Sequence, residues 1–260
     1  MNHKENRMNS RRAILAAGAL CATVGTVLAQ PAPVAAPTAT NRWETTAAAG
    51  LTVTSGNKDT VLATLSLQTS RKWQRDEFAA GISGAYGEDD GDRNQAQILG
   101  YAQYNRLFTD RFYGAIRADE LTDDLADLDY RVKLTPMAGY YLIKAPRTTL
   151  ALEAGPSFVW EHYSPKGLPT YSEDYVGVRF GERFEHKLTD TTKIWQTLEY
   201  VPQVDRWADK YLLTAEVGID TAITKNISLR VVFQDIYDSE PAPGREENDL
   251  RLIAGVAYKF

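Results

Sequence analysis

From Arg42 onward apolar and polar residues take turns along the chain, pause at a turn, and take turns again. The last thirteen residues show it most clearly. Leu250, Leu252, Ala254, Val256, Tyr258 and Phe260 share one face. Asp249, Arg251, Gly255 and Lys259 share the other with Ile253 and Ala257. A period of two marks a β-strand, because successive side chains of a strand point to opposite faces. The same pattern predicts twelve strands, at about 43–54, 60–73, 77–87, 94–108, 111–121, 130–144, 148–161, 175–188, 192–204, 210–221, 227–237 and 248–260. Each is long enough to cross a bilayer at a tilt, for which about 9–11 residues suffice.

The connections alternate between tight turns and longer, acidic loops. Long loops on one side and short turns on the other are the asymmetry of a bacterial outer-membrane barrel. An even strand count then puts both ends of the barrel domain on the short-turn, periplasmic side. The aromatics agree. On the apolar faces, Trp43, Trp73, Phe78, Tyr104, Phe112, Tyr140, Phe184, Tyr258 and Phe260 fall near the short turns. Tyr86, Tyr130, Phe158, Trp160, Tyr200, Tyr211, Phe233 and Tyr237 fall near the long loops, with small and aliphatic residues between. Two aromatic girdles around an aliphatic band match a membrane profile. A soluble sandwich would bury its aromatics mid-strand. The fold expected is therefore all-β: a single twelve-stranded antiparallel transmembrane β-barrel over 42–260, in the outer membrane of a Gram-negative cell.

Some positions resist this pattern. Glu182 and Gln196 fall on the apolar faces of their strands, and a bulge near Gly181 that shifts the register is the expected remedy. Pro136, Pro156 and Pro202 lie inside strands and each lacks a ladder donor, so bulges or frayed ends are expected there.

Lys4, Arg7, Arg11 and Arg12 precede an apolar run, Ala13 to Leu28, that is short for a spanning helix. Val27-Leu28-Ala29 supplies small residues for cleavage, so 1–29 reads as a secretory signal peptide. Ser10-Arg11-Arg12 also fits a twin-arginine signal, a route for folded cargo that does not suit a barrel. The Pro/Ala/Thr-rich 30–41 reads as a disordered periplasmic leader. Cys21 is the only cysteine and leaves with the signal. The signal also removes four basic residues and one acid, which takes the net charge from −5 to −8. That balance argues against nucleic-acid binding.

Leu152-Glu153-Ala154-Gly155-Pro156-Ser157-Phe158, Leu198-Glu199-Tyr200-Val201-Pro202, and Asp249-Leu250 through Gly255 to Tyr258-Lys259-Phe260 carry a resemblance. The chain resembles a family of salt-induced outer-membrane proteins, a domain family without an established function. The resemblance implies an outer-membrane barrel whose Tyr258 and Phe260 are read by the barrel-assembly machinery. It brings no catalytic residues.

The polar faces carry the candidate chemistry: Arg117, Asp119, Arg131, Lys133, Glu153, Arg179, Arg183, Glu199, Glu216, Arg230 and Arg251. They are expected to line the lumen, either as a charged channel for a small solute or as a plug of paired charges. Twelve strands enclose less space than the open channel of porins with about 16–18. The acidic clusters Glu88, Asp89, Asp90, Asp92 and Asp123, Asp124, Asp127, Asp129 read as solvated loops. They offer divalent cations a bridge to lipopolysaccharide phosphates, without the order of an EF-hand. The mature chain keeps two histidines, and a lipid hydrolase would need one as its base. His162 has Glu161 and Ser164 beside it, but strand neighbours point to opposite faces, so Glu161 is badly placed to orient it. No metal or cofactor motif occurs. The expected function is a narrow passive channel or an envelope-integrity protein, with a closed barrel or an outer-membrane lipid hydrolase as alternatives. No enzyme is expected, and the expected partners are outer-membrane lipids, lipopolysaccharide and the assembly machinery.

Overall fold

A computed structural model describes residues 41–54, 60–89, 92–245 and 247–260. The expected signal peptide and all but the last residue of the expected leader lie outside them, as does Asp90 of the first acidic cluster. The described chain is twelve strands: β1 (Trp43–Thr54), β2 (Thr60–Trp73), β3 (Asp76–Asp89), β4 (Asp92–Leu107), β5 (Phe112–Asp123), β6 (Leu128–Lys144), β7 (Thr148–Tyr163), β8 (Tyr171–Lys187), β9 (Thr192–Pro202), β10 (Tyr211–Ala222), β11 (Ile227–Asp238) and β12 (Asn248–Lys259). Each pairs antiparallel with its neighbours in sequence, and β1 closes the ring on β12.

The seam runs from Thr46↔Lys259 to Gly50↔Gly255. A Cβ on Gly255 would lie 2.2 Å from the carbonyl oxygen of Ala49, so this close approach demands glycine. Closure leaves no strand edge, as an apolar solvent requires of backbone N–H and C=O groups.

Alternation decides which way each side chain faces. Leu65, Ile98, Ile116, Val217 and Leu252 point outward and are exposed. The aromatics of both girdles also point outward. Trp43 packs edge-on against Phe78 at 5.8 Å, and Tyr200, Tyr211 and Tyr237 form a row at 5.5 and 5.6 Å at the other end.

Three short turns repeat one device. Thr109, Thr189 and Thr224 each follow an apolar residue, and each accepts a hydrogen bond on its side-chain oxygen from the backbone N–H three residues on, at 2.8, 2.9 and 3.0 Å. The hydroxyl satisfies a donor that the tight turn leaves free.

The asymmetry of the connections is narrower than the sequence pattern suggests. β3 and β4 pair as far as Asp89↔Asp92, and β5 and β6 as far as Asp123↔Leu128. The extended loops are 164–170, 203–210 and 239–247. Ladders continue past the apolar band where both faces become polar, so alternation no longer marks them.

The bulge expected near Gly181 is absent. β7 and β8 keep one register from Thr148↔His186 to Tyr163↔Tyr171. Glu182 and Gln196 do face outward, and Gln196 Nε2 donates to Glu182 Oε2 at 3.2 Å. Phe184, in the girdle at the short-turn end, is two residues from Glu182 on the same face. The pair therefore sits close to the edge of the apolar band, and the correction costs no change of register.

Two of the three prolines interrupt the ladder differently from the expectation. Pro136 and Pro156 stand opposite each other between Leu134↔Phe158 and Ala138↔Ala154, where no rung forms, yet the register does not shift. Pro202 ends β9.

Candidate functional site in the lumen

The inward faces of β5 to β9 build a stack of polar groups whose partners come from the same strand, from the next one and from strands farther round the ring. Nearest the short turns, Tyr113 and Tyr141 pack at 5.2 Å within a buried cluster with Leu107 and Ala151. Glu77 of β3 accepts from Tyr141 Oη at 2.6 Å and from Asn105 Nδ2 at 3.1 Å.

Above that layer Glu153 is 3 % exposed. It accepts from Gln103 Nε2 at 2.8 Å, Tyr113 Oη at 2.8 Å and Arg179 Nη1 at 3.0 Å, and forms an ion pair with Arg183 Nη2 at 2.9 Å. Arg179 Nε reaches Glu199 Oε2 at 2.6 Å, and Glu199 takes a further bond from Lys133. Arg117 bonds Asp119 with two nitrogens, at 2.6 and 2.9 Å, and lies over the Tyr101 ring at 4.6 Å. Charges held this way stay buried because each carboxylate meets several charge-assisted donors.

Toward the long loops Arg131 pairs with Glu161 at 2.6 Å on β7 and, across the lumen, with Asp238 on β11. Over this bridge lies the 239–247 loop. Ala242 is buried against Leu128 and Tyr163. Arg245 bonds Asp127 with two nitrogens, at 2.6 and 2.7 Å. The second acidic cluster is thus partly inside the mouth rather than solvated. Asp127 holds Arg245, and Asp123 accepts from Gln97 Nε2 at 2.6 Å.

Across the lumen, β1 to β3 present the small residues Ala48, Gly50, Thr64, Ser66, Gly81, Ser83 and Ala85. The difference in side-chain size leaves a cavity of about 260 Å³ between Gln68, Gly81, Ser83, Thr214 and Gln234 on one side and the Arg–Glu stack on the other. A second cavity of about 100 Å³ lies beside Ser66, Trp195, Arg230 and Arg251.

All eleven predicted polar residues point inward. Arg117, Asp119, Arg131, Lys133, Arg179, Arg183, Glu199 and Glu216 border the larger cavity, Glu153 lies behind them, and Arg230 and Arg251 border the smaller. Glu216 accepts from Trp195 Nε1 at 2.7 Å, and Arg230 pairs with Asp220 at 2.9 Å. The sequence reading missed Gln103, Tyr113, Tyr141, Glu161 and Asp238. The inward parity of Tyr113 and Tyr141 was a usable signal, whereas Asp238 lies at a strand end where parity fades. Among the described residues no group of three or more His, Cys, Asp or Glu is placed to hold a metal. Tyr258 and Phe260 lie outside, edge to face at 5.0 Å.

Residues 47–260 match the family described as "Protein of unknown function, DUF481". The chain belongs to that family. This member of it has twelve strands and a lumen crossed by ion pairs. The chain is 24 % identical over 243 residues to the "Uncharacterized protein YdiY" of Escherichia coli (strain K12), covering 92 % of this chain and 89 % of that protein. Among solved structures it is similar to the NanC porin, with a TM-score of 0.51 at 8 % identity, over 84 % of this chain and all of the porin. The KdgM porin aligns at a TM-score of 0.45 and 14 % identity, over 84 % of this chain and 99 % of that one. The NanC likeness shows that this chain has the fold of an outer-membrane porin barrel.

Proposed function

We propose that this DUF481 barrel sits in the outer membrane and forms a narrow passage for small hydrophilic solutes, shut at its outer mouth by the 239–247 loop. Its short turns face the periplasm. Tyr258 and Phe260 serve as the recognition signal for the assembly machinery, and outer-membrane lipids and lipopolysaccharide surround the aromatic girdles.

The observation that carries this reading is the cavity of about 260 Å³ inside the lumen. A barrel whose only task is mechanical has no use for a polar void beside a wall of paired charges. Arg183 Nε, a buried donor without a protein partner among the described residues, belongs to a side chain that borders it. Such a group favours a polar occupant. Acids and bases alternate around the cavity, which fits weak charge selectivity rather than a strong anion or cation filter.

The second reading, a closed barrel for envelope integrity, has one observation of its own: Arg131 bridges β6 to β11 straight across the lumen. Planar-bilayer recording separates the two. The passage predicts rare, small conductance steps in the native protein. Arg245→Ala, which frees the loop from Asp127, is expected to raise their frequency several-fold, and Arg131→Ala to raise their size. Electrical silence of all three proteins would establish the closed barrel instead.

A further inference from the structure

On the outer surface, at the long-loop end, three strands bring a serine, a histidine and an aspartate together. His162 points outward from β7 and is paired directly with Ser172 of β8. Ser172 Oγ and His162 Nδ1 are 2.7 Å apart. The other ring nitrogen, Nε2, lies 3.6 Å from Asp129 Oδ2. A register shift between Leu128 and Tyr130 makes this possible. Leu128 stays inside, buried at 3 % exposure, while Asp129 and Tyr130 both come out. Ser164 Oγ donates to the same Asp129 oxygen at 2.5 Å and holds the carboxylate in place. The Tyr130 ring stacks on the imidazole at 5.7 Å and an interplanar angle of 18°, which fixes its plane.

The order is that of nucleophile, base and orienting acid. In the tautomer that carries its proton on Nε2, His162 accepts from the Ser172 hydroxyl on Nδ1, and Nε2 faces Asp129 at 3.6 Å, an ion-pair distance. The sequence argument against His162 rejected Glu161 as its acid, and rightly, since Glu161 points into the lumen toward Arg131. It had no view of Asp129 and Ser172, which arrive from the flanking strands.

We infer that Ser172, His162 and Asp129 form a second, surface site that hydrolyses the acyl ester of a membrane lipid. The location selects the substrate class. Tyr130 and Trp160 flank the site, are exposed, and belong to the girdle that marks the headgroup level, where acyl esters of lipids lie. In the first step Ser172 Oγ attacks the ester carbonyl carbon as its proton passes to His162 Nδ1. The carbonyl π pair moves onto oxygen. Collapse re-forms the carbonyl and breaks the bond to the alcohol oxygen, which takes the proton from His162 and leaves. Water then attacks the acyl-serine, again giving its proton to His162, and Ser172 is restored as the fatty acid departs. The sum is lipid ester plus water to lysolipid plus fatty acid. The inference stands whether or not the lumen conducts.

The test uses the full chain in detergent and in vesicles. A fluorophosphonate probe is expected to label Ser172 of the native protein, located by peptide mass. Fatty-acid release is followed from phosphatidylethanolamine vesicles and from purified lipopolysaccharide. Release from one and not the other identifies the source of the ester. Ser172→Ala and His162→Asn are expected to lower release by about 10²–10⁴-fold and Asp129→Asn by at least about 10-fold, with heat-modifiable gel migration unchanged. Labelling of the native protein needs no variant to fold. Absence of both a Ser172 adduct and release from either lipid overturns the inference, as does a Ser172→Ala protein that matches the native rate.

Discussion

The two walls of the lumen are made of the same alternating strands and behave differently. On the β5–β9 wall long polar side chains close on one another and on smaller neighbours: Tyr113, Thr135, Ser157, Val159 and Glu161 are almost fully buried. On the β1–β3 wall the residues that border the cavities are mostly small, and the space in front of them stays open. The comparison teaches that a barrel need not choose between a plug and a pore. One part of the circumference carries the packing, while another leaves a cavity in front of it. Glu153 is the hinge of the argument, because it joins β7 to β4, β5 and β8 through four partners.

Removing that hinge is the most severe way to break the comparison. Glu153→Ala leaves Arg179 and Arg183 inside the barrel without their shared carboxylate, and is expected to cost about 3–5 kcal/mol in urea unfolding from vesicles. Ser83→Ala, on the open wall, should stay within about 0.5 kcal/mol. Equal costs would mean that the two walls are not distinct.

A smaller effect sharpens the same contrast. A Cβ at Gly139 would meet the buried Tyr113 ring at 2.2–2.6 Å. Gly139→Ala is therefore expected to cost about 1–3 kcal/mol through overpacking. At Gly81 the new Cβ would meet the Tyr101 ring at 2.7 Å, but that ring borders the cavity and has room to move. Gly81→Ala should lose less than Gly139→Ala and, if the lumen conducts, lower the step size instead.

The smallest effect belongs to the mouth. Glu240, in the 239–247 loop, accepts from Arg206 Nη1 at 2.7 Å, and that hydrogen bond holds its carboxyl below the usual range. A carboxyl whose folded pKa is depressed contributes stability above its unfolded pKa and loses it as pH falls through the folded value. Both side chains are well exposed, so solvent screens the pair. Glu240→Gln should melt marginally below the native protein at pH 7. The gap should vanish on acidification well below about 4.3. A gap that persists in acid would show that the loop is held by something other than this pair.

Much of the barrel was legible because alternation is a local signal. The bounds of every strand to within two residues, save the start of β8 at Tyr171 rather than 175, and the inward face of every polar candidate needed only near neighbours along the chain. The reading slipped where the signal is weak or absent. At Glu182 a bulge was expected because an outward carboxylate looks costly, and its outward partner Gln196 on β9 was not linked to it. At the acidic cluster, Asp127 read as solvent-facing because its arginine, Arg245, is 118 residues away. His162 was weighed against the wrong acid for the same reason.

The amino-acid order alone settled which way each side chain faces, since a period of two assigns every strand residue to the lumen or the exterior without reference to any other strand. Which inward group meets which was settled only by closure of the ring. The pairing of β7 with β6 and β8 set Asp129 and Ser172 on either side of His162; closure laid small residues across from large ones to leave the cavity and carried Asp238 over to Arg131. Those contacts depend on the relative stagger of strands far apart in the chain, and stagger is a property of the closed sheet.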